Sequence, residues 1–84
     1  MTDFIKSQIE TAQQLQLTAV IKGLTANLDV SGDYIYFFFH DYTKSEKGEL
    51  TMFSIVFDKG RNKCIAEMNK VKAFVSDWEP NGKK

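Results

Sequence analysis

The sequence predicts an α+β fold. The predicted arrangement is a two-layer αβββα sandwich, in which a three-stranded antiparallel meander carries both helices on one face. Apolar residues recur at helical spacing near both ends of the chain, and they alternate with polar residues in the middle. Short segments rich in Gly, Ser, Asp and Lys separate the alternating runs. When the strands are aligned, their apolar residues collect on one face, which the two helices would cover.

The first helix is predicted over residues 3–16. Its apolar stripe, at i, i+4 and i+7, is formed by Ile5, Ile9 and Ala12. Residues 17–22 leave two possibilities open, because they would suit either an extension of this helix or the start of a strand. Gly23 is a suitable stop for both.

Three strands are predicted over residues 24–30, 34–40 and 50–57. The first alternates apolar and polar side chains, and the second, YIYFFFH, consists largely of aromatic and β-branched residues. The last helix is predicted over residues 62–78, with Asn62 as its N-cap. Its apolar stripe contains Cys64, Met68, Val71, Val75 and Trp78. Together these elements predict a single domain, 1–84, with residues 80–84 as a frayed tail.

The turns predict how the strands align. A two-residue turn at Ser31-Gly32 would place Leu28 opposite Ile35. A three-residue turn over 46–48 would pair Ser45 with Glu49 and Phe39 with Ile55. The resulting core face contains Leu24, Ala26, Leu28, Ile35, Phe37, Phe39, Phe53, Ile55 and Phe57. Because successive side chains alternate between faces, the remaining strand residues form an outer face.

This outer face is unusually aromatic for a solvated surface. Its candidate partner-binding residues are Tyr34, Tyr36, Phe38, His40, Met52 and Val56. An apolar patch rimmed by polar groups is typical of an interaction surface, and Tyr, Phe and Met are common in interface cores. The alternative is that residues 17–22 or the C-terminal tail fold over the face and bury it.

A second candidate surface is basic. The chain has no net charge, but residues 59–72 carry five bases against one acid, Glu67. The bases are Lys59, Arg61, Lys63, Lys70 and Lys72, and several lie near a helix start, where positive charge is unfavourable. They could hold phosphates of a nucleic acid or another anion, or they could form an ordinary solvated helix face. Asp29, Asp33 and Asp41 are expected to lie near the aromatic face and to repel phosphate there.

The element order resembles that of the double-stranded-RNA-binding domain. The matching stretch is GRNKCIAEMNKVKAF, residues 60–74, in which Lys63 and Ala66 occupy plausible positions. The resemblance implies that the last helix would begin with bases that contact phosphates. The consecutive lysines of that family are missing here.

Catalytic chemistry is not expected. His40 and Cys64 are predicted on opposite sides of the sheet, and cysteine on an apolar helix stripe behaves as a small hydrophobe. One His and one Cys do not supply a usual zinc site, and no cofactor motif is present in the sequence. The lone cysteine, and the absence of a signal-peptide pattern or a long apolar run, predict a cytoplasmic protein without a membrane segment.

These observations favour a non-enzymatic protein-interaction module. It would act through the aromatic face, either by homodimerisation or by docking on a partner protein. A small phage or mobile-element inhibitor of a host protein would have this character. The alternative is a nucleic-acid-binding domain that uses the basic segment or stacks bases on the aromatic face.

Overall fold

The computed structural model of the chain describes residues 3–43 and 46–80. Helix α1 (Asp3–Lys22) precedes strands β1 (Thr25–Val30), β2 (Tyr34–Asp41) and β3 (Glu49–Val56), and a 3₁₀ turn (Phe57–Lys59) leads into helix α2 (Arg61–Asp77). The strands form an antiparallel sheet in the order β1-β2-β3, and both helices pack on one face of it. The predicted α+β class and the αβββα order are confirmed.

Helix α1 continues through residues 17–22, which answers the question that the sequence left open. Its buried positions are Gln8, Ala12 and Ala19, so the last segment still has a residue in the core. Gly23 then ends the helix with a φ of 106°. The Gly23 N–H donates to Val20 O and the Leu24 N–H to Ala19 O, both at 3.0 Å. This pair of bonds is a Schellman motif, which requires a left-handed residue and therefore favours glycine.

Helix α2 buries the complete predicted stripe. Cys64, Met68, Val71 and Val75 are each at most 1% exposed, and Trp78, the C-cap residue, is 6% exposed. The predicted N-cap was wrong, because Gly60 occupies that position and Asn62 lies inside the first turn.

Both hairpins differ in register from the prediction. The Ser31 N–H donates to Tyr34 O at 2.9 Å, so the first turn is Gly32-Asp33 and Leu28 lies opposite Phe37. In the second hairpin Phe39 lies opposite Thr51 instead of Ile55.

The predicted partner of Glu49 was also wrong, because Glu49 pairs with Asp41; Ser45 itself lies outside the described residues. The register errors amount to two positions in the first hairpin and four in the second. Both numbers are even, so the residues that are in a strand in both the prediction and the structure stay on their predicted face.

The core lies between the sheet and the two helices. Its largest fully buried side chains include Ile35, Phe37 and Phe39 from β2. The helices run in the same direction across the sheet. The Arg61 guanidinium lies 4.5 Å from the ring centroid of Phe4 near their starts, and the Lys22 ammonium donates to Val75 O at 2.6 Å near their ends.

Candidate protein-interaction surface

The outer face of the sheet consists of three columns of side chains. The β1 column is polar and contains Thr25, Asn27 and Asp29. The central β2 column contains Tyr34, Tyr36, Phe38 and His40. The β3 column contains Leu50, Met52, Ser54 and Val56. The surface is therefore graded, from polar at the β1 edge through aromatic to largely apolar at the β3 edge.

The aromatic residues of β2 pack against one another along the strand. The rings of Tyr34 and Tyr36 stack with centroids 4.3 Å apart, and Phe38 meets Tyr36 edge to face at 6.4 Å. These distances lie in or near the range in which aromatic pairs are favourable. The mutual packing leaves each of these side chains half-buried.

No element among residues 3–43 and 46–80 covers this face. Met52 is 57% exposed and Leu50 is 52% exposed, although both are large apolar side chains. The possibility that residues 17–22 fold over the face was wrong, because they belong to α1 on the opposite side of the sheet. The possibility that the tail covers it concerns residues 81–84, which lie outside the described residues. A shallow hollow of about 380 Å³, lined by Tyr36, Met52, Phe53 and Ser54, opens on this side.

Two residues of this surface were missed by the sequence analysis. Leu50 was assigned to the strand but not to the site, although simple alternation from Met52 places it on the outer face. Tyr42 follows β2, and its ring stacks on that of His40 with centroids 5.7 Å apart. No sequence pattern identified Tyr42, since the residue lies beyond the regular strand.

A separate apolar triplet lies on α1. Leu17, Val20 and Ile21 are 53%, 52% and 76% exposed. Their spacing at i, i+3 and i+4 places them on one side of the helix, away from the buried Ala19. This triplet was not predicted from the sequence, because residues 17–22 suited either a helix or a strand.

The five predicted bases do not form one surface. Successive helix residues are rotated by about 100°, so Arg61 and Lys72 lie on one flank of α2 and Lys63 and Lys70 on the other. Arg61 is held over the ring of Phe4, and the Lys70 ammonium pairs with Glu67 at 3.5 Å.

Lys59 and Lys63 do come together. Both line a hollow of about 180 Å³ between α2 and β3, to which Ser54 and Glu67 also contribute. Of the five predicted bases, these two are therefore the ones that the fold gathers beside a single cavity.

Cys64 and His40 are separated by the sheet. Cys64 is 1% exposed among the core residues, and its thiol donates to Val56 O at 3.4 Å. Burial raises the pKa of the Cys64 thiol, and the nearby charge of Asp58 raises it further. A cysteine in this state is a poor nucleophile at neutral pH. His40 lies on the outer face, so the two side chains do not form a catalytic pair.

Residues 3–43 and 46–80 contain no cluster of three or more His, Cys, Asp or Glu side chains able to hold a metal ion. Within the same ranges neither helix combines the length and apolar character needed to cross a bilayer.

Comparisons with known proteins give no relative. No known protein family, no curated protein and no solved structure matches this chain. The likeness to the double-stranded-RNA-binding domain therefore remains one of element order, and fold order alone is a weak guide to function. What the fold and the site define is a small α+β domain with an aromatic sheet face that nothing among residues 3–43 and 46–80 covers.

Proposed function

We propose that this protein is a non-enzymatic interaction module that binds another protein through the outer face of its sheet. The observation that carries the proposal is the exposure of Met52 and Leu50, which lie opposite Phe38 and His40 of the aromatic column. A small domain gains nothing in its own stability from apolar side chains left in water. A contiguous patch of this kind is typical of a surface that another molecule covers.

The composition of the face supports a protein partner. Interface cores are enriched in Tyr, Phe and Met and depleted of charged residues, and their rims are polar. Here the centre supplies Tyr36, Phe38 and Met52, and the β1 column supplies the polar margin. The stacking within β2 also lowers the entropy that would be lost on binding, because these rings are already ordered.

The wider proposal concerns the kind of protein. A compact domain with a docking face and no described catalytic cluster suits a small inhibitor of a host protein, of the type that phages and mobile elements encode. A cytosolic location is part of the same proposal, since a buried reduced Cys64 needs no oxidising compartment.

Site-specific photo-crosslinking tests the proposal. A photoreactive phenylalanine analogue is placed at Tyr36 or Phe38, and in a control chain at Ile65, an apolar α2 residue that is 41% exposed. We expect one protein to be captured from the outer face and not from Ile65. The captured protein, once purified, should bind Tyr36→Ala at least about tenfold more weakly than wild type, whereas Ile65→Ala should bind normally. Equal capture from all three positions would contradict the proposal.

Nucleic-acid binding is the second proposal. It is favoured by Lys59 and Lys63, which line one hollow next to the start of α2. It ranks second because Arg61 and Lys72 lie on the opposite flank. Retention on RNA or DNA at low salt that weakens in Lys63→Glu would support it. No retention of the wild-type chain at low salt would end it.

A further inference from the structure

The β3 strand leaves one edge of the sheet unpaired. The Phe57 N–H donates to Asp33 O at 2.9 Å, which fixes the alternation of the antiparallel ladder. The odd-numbered residues of β3 therefore direct their backbone groups toward β2. The even-numbered residues direct theirs outward: Leu50, Met52, Ser54 and Val56. Among the described residues no strand pairs with this edge.

The two edges of the sheet differ in how far other parts of the chain cover their outward backbone groups. At the β1 edge α1 packs alongside, and the Gln16 amide donates to the outward-facing Ala26 O at 3.0 Å. At the β3 edge the Cys64 thiol contacts Val56 O, and no hydrogen bond from the described residues reaches the outward backbone groups of Met52 or Ser54.

Native edge strands usually carry a charge, a proline, a bulge or a cover that prevents pairing. Apart from Glu49 at its first position, β3 carries no charge, it contains neither proline nor glycine, and the β2–β3 pairing is continuous over eight residues. An edge of this kind is a template for another strand. Hollows flank Ser54 on the helix side and on the outer face, so side chains of an added strand have room on both sides.

We propose that two copies of this chain associate through their β3 edges, in antiparallel orientation, to form a continuous six-stranded sheet. The two-fold axis runs perpendicular to the sheet, so both pairs of helices lie on one side and both aromatic faces on the other. The contact is isologous, as a closed dimer requires.

Charge favours a second copy as the occupant. Residues 46–49, which end at the first residue of β3, carry a net charge of −1, and residues 58–63, which follow the strand, carry a net charge of +2. Antiparallel pairing of two identical strands brings the acidic end of each copy to the basic end of the other. Complementary potentials of this kind fix orientation and register more than they add affinity.

In this dimer the apolar sides of the two graded outer faces would meet at the centre of the sheet. The six columns would read polar, aromatic, apolar, apolar, aromatic and polar, with Leu50, Met52 and Val56 of both copies at the centre. An apolar centre inside a polar rim is the anatomy of a protein interface. The self-association does not depend on the docking proposal, but it would double the surface that a partner contacts.

Sedimentation velocity on the purified chain, from about 1 μM to about 500 μM, tests the proposal. We expect a monomer–dimer equilibrium in the wild type. Ser54→Pro removes an outward N–H without removing a bond to β2, and it should weaken dimerisation by roughly tenfold or more. Val30→Pro makes the same change at the β1 edge, where the Val30 N–H also points outward, and it should leave the dimer intact.

Further variants separate the possible outcomes. Ser54→Lys alters an exposed side chain and places like charges beside the two-fold axis, so it should also produce monomers. If Ser54→Pro unfolds, the oligomeric state of Ser54→Lys tests the edge dimer in its place. Tyr36→Ser changes the central strand and should leave an edge dimer unaffected. A wild-type chain that is monomeric throughout overturns the proposal. A dimer that Tyr36→Ser dissociates and Ser54→Lys does not would also overturn it, because it would be joined face to face.

Discussion

The Trp78 indole N–H donates to the Asp41 carboxylate at 2.8 Å, and this bond joins the end of α2 to the end of β2. Asp41 is only 5% exposed and Trp78 only 6%. The other carboxylate oxygen accepts from the Thr43 N–H at 2.9 Å and from the Thr43 hydroxyl at 2.6 Å. From the sequence, Asp41 was expected near the aromatic face, as a charge that repels phosphate. That expectation was wrong, because Asp41 shares the core side of β2 with Phe37 and Phe39.

Removing this carboxylate should destabilise the fold. Asp41→Ala leaves a buried indole N–H without an acceptor, and we expect the free energy of unfolding to fall by about 1–3 kcal/mol. Urea denaturation followed by the fluorescence of Trp78 measures the change. Asp77→Ala, which alters an exposed acid at the end of α2, serves as the control and should have little effect. Equal stability of the two variants would show that the bond contributes nothing.

Lys22 should stabilise the C-terminus of α2. Its ammonium donates to Val75 O at 2.6 Å, Ser76 O at 3.0 Å and Trp78 O at 3.4 Å. A cation there satisfies free carbonyls and opposes the negative end of the helix dipole. Lys22→Met keeps the aliphatic stem, and we expect a loss of about 1–2 kcal/mol in thermal or urea unfolding. Lys6→Met, on the exposed side of α1, should change stability much less.

The fold could be predicted from the sequence because alternation along a strand shows which side of the sheet each side chain occupies. It does not show which residues of neighbouring strands lie opposite each other. Ile35, Phe37 and Phe39 belong to the core in the predicted register and in the observed one, since the errors were even-numbered. The register itself depends on turn geometry. Gly32 is compatible with either two-residue turn, and the long connection after Asp41 carries no local signal that specifies its closure.

The candidate site was predictable to the same extent. Alternation was enough to identify Tyr36, Phe38 and Met52 as outer-face residues. It could not show that α1 leaves them exposed, because that depends on how long α1 is and where it packs. The basic segment shows the opposite limitation. Lys63 and Lys72 are close in sequence, but the helical repeat directs them to opposite flanks.

Gly48 should be intolerant of a side chain. Its φ is 79°, and a Cβ at this position would lie 2.7 Å from a ring carbon of Tyr42. Gly48→Ala should cost about 1–2 kcal/mol from backbone conformation alone, and the ring of Tyr42 would also have to move. Gly32→Ala is the matched control, since nothing lies within 4 Å of its Cβ position. Thermal melts of the two variants provide the comparison, and a larger loss in Gly32→Ala would contradict the observed turn.

Cys64 should react slowly while the protein is folded. Burial, with a smaller contribution from Asp58, raises the pKa of its thiol, so little thiolate forms at neutral pH. We expect iodoacetamide labelling at pH 8 to be slow in buffer and fast in denaturant. The folded chain holds this proton at a pH where the unfolded chain has released it. Stability should therefore fall as the pH rises through the ordinary cysteine pKa, and Cys64→Ala should remove that part of the pH dependence.

Phe38 and Phe39 are adjacent in sequence but lie on opposite faces of β2, which provides a direct test of the two-sided sheet. Phe39 is 1% exposed and packs against Phe74, with ring centroids 5.1 Å apart. Phe39→Ala should lower the free energy of unfolding by about 3–5 kcal/mol, because it empties part of the core. Phe38→Ala removes a half-buried ring from the outer face, and we expect it to cost less than about 1.5 kcal/mol. Urea denaturation of both variants tests this. Similar losses would mean that the outer face is part of a second core, and an exposed docking surface would then be untenable.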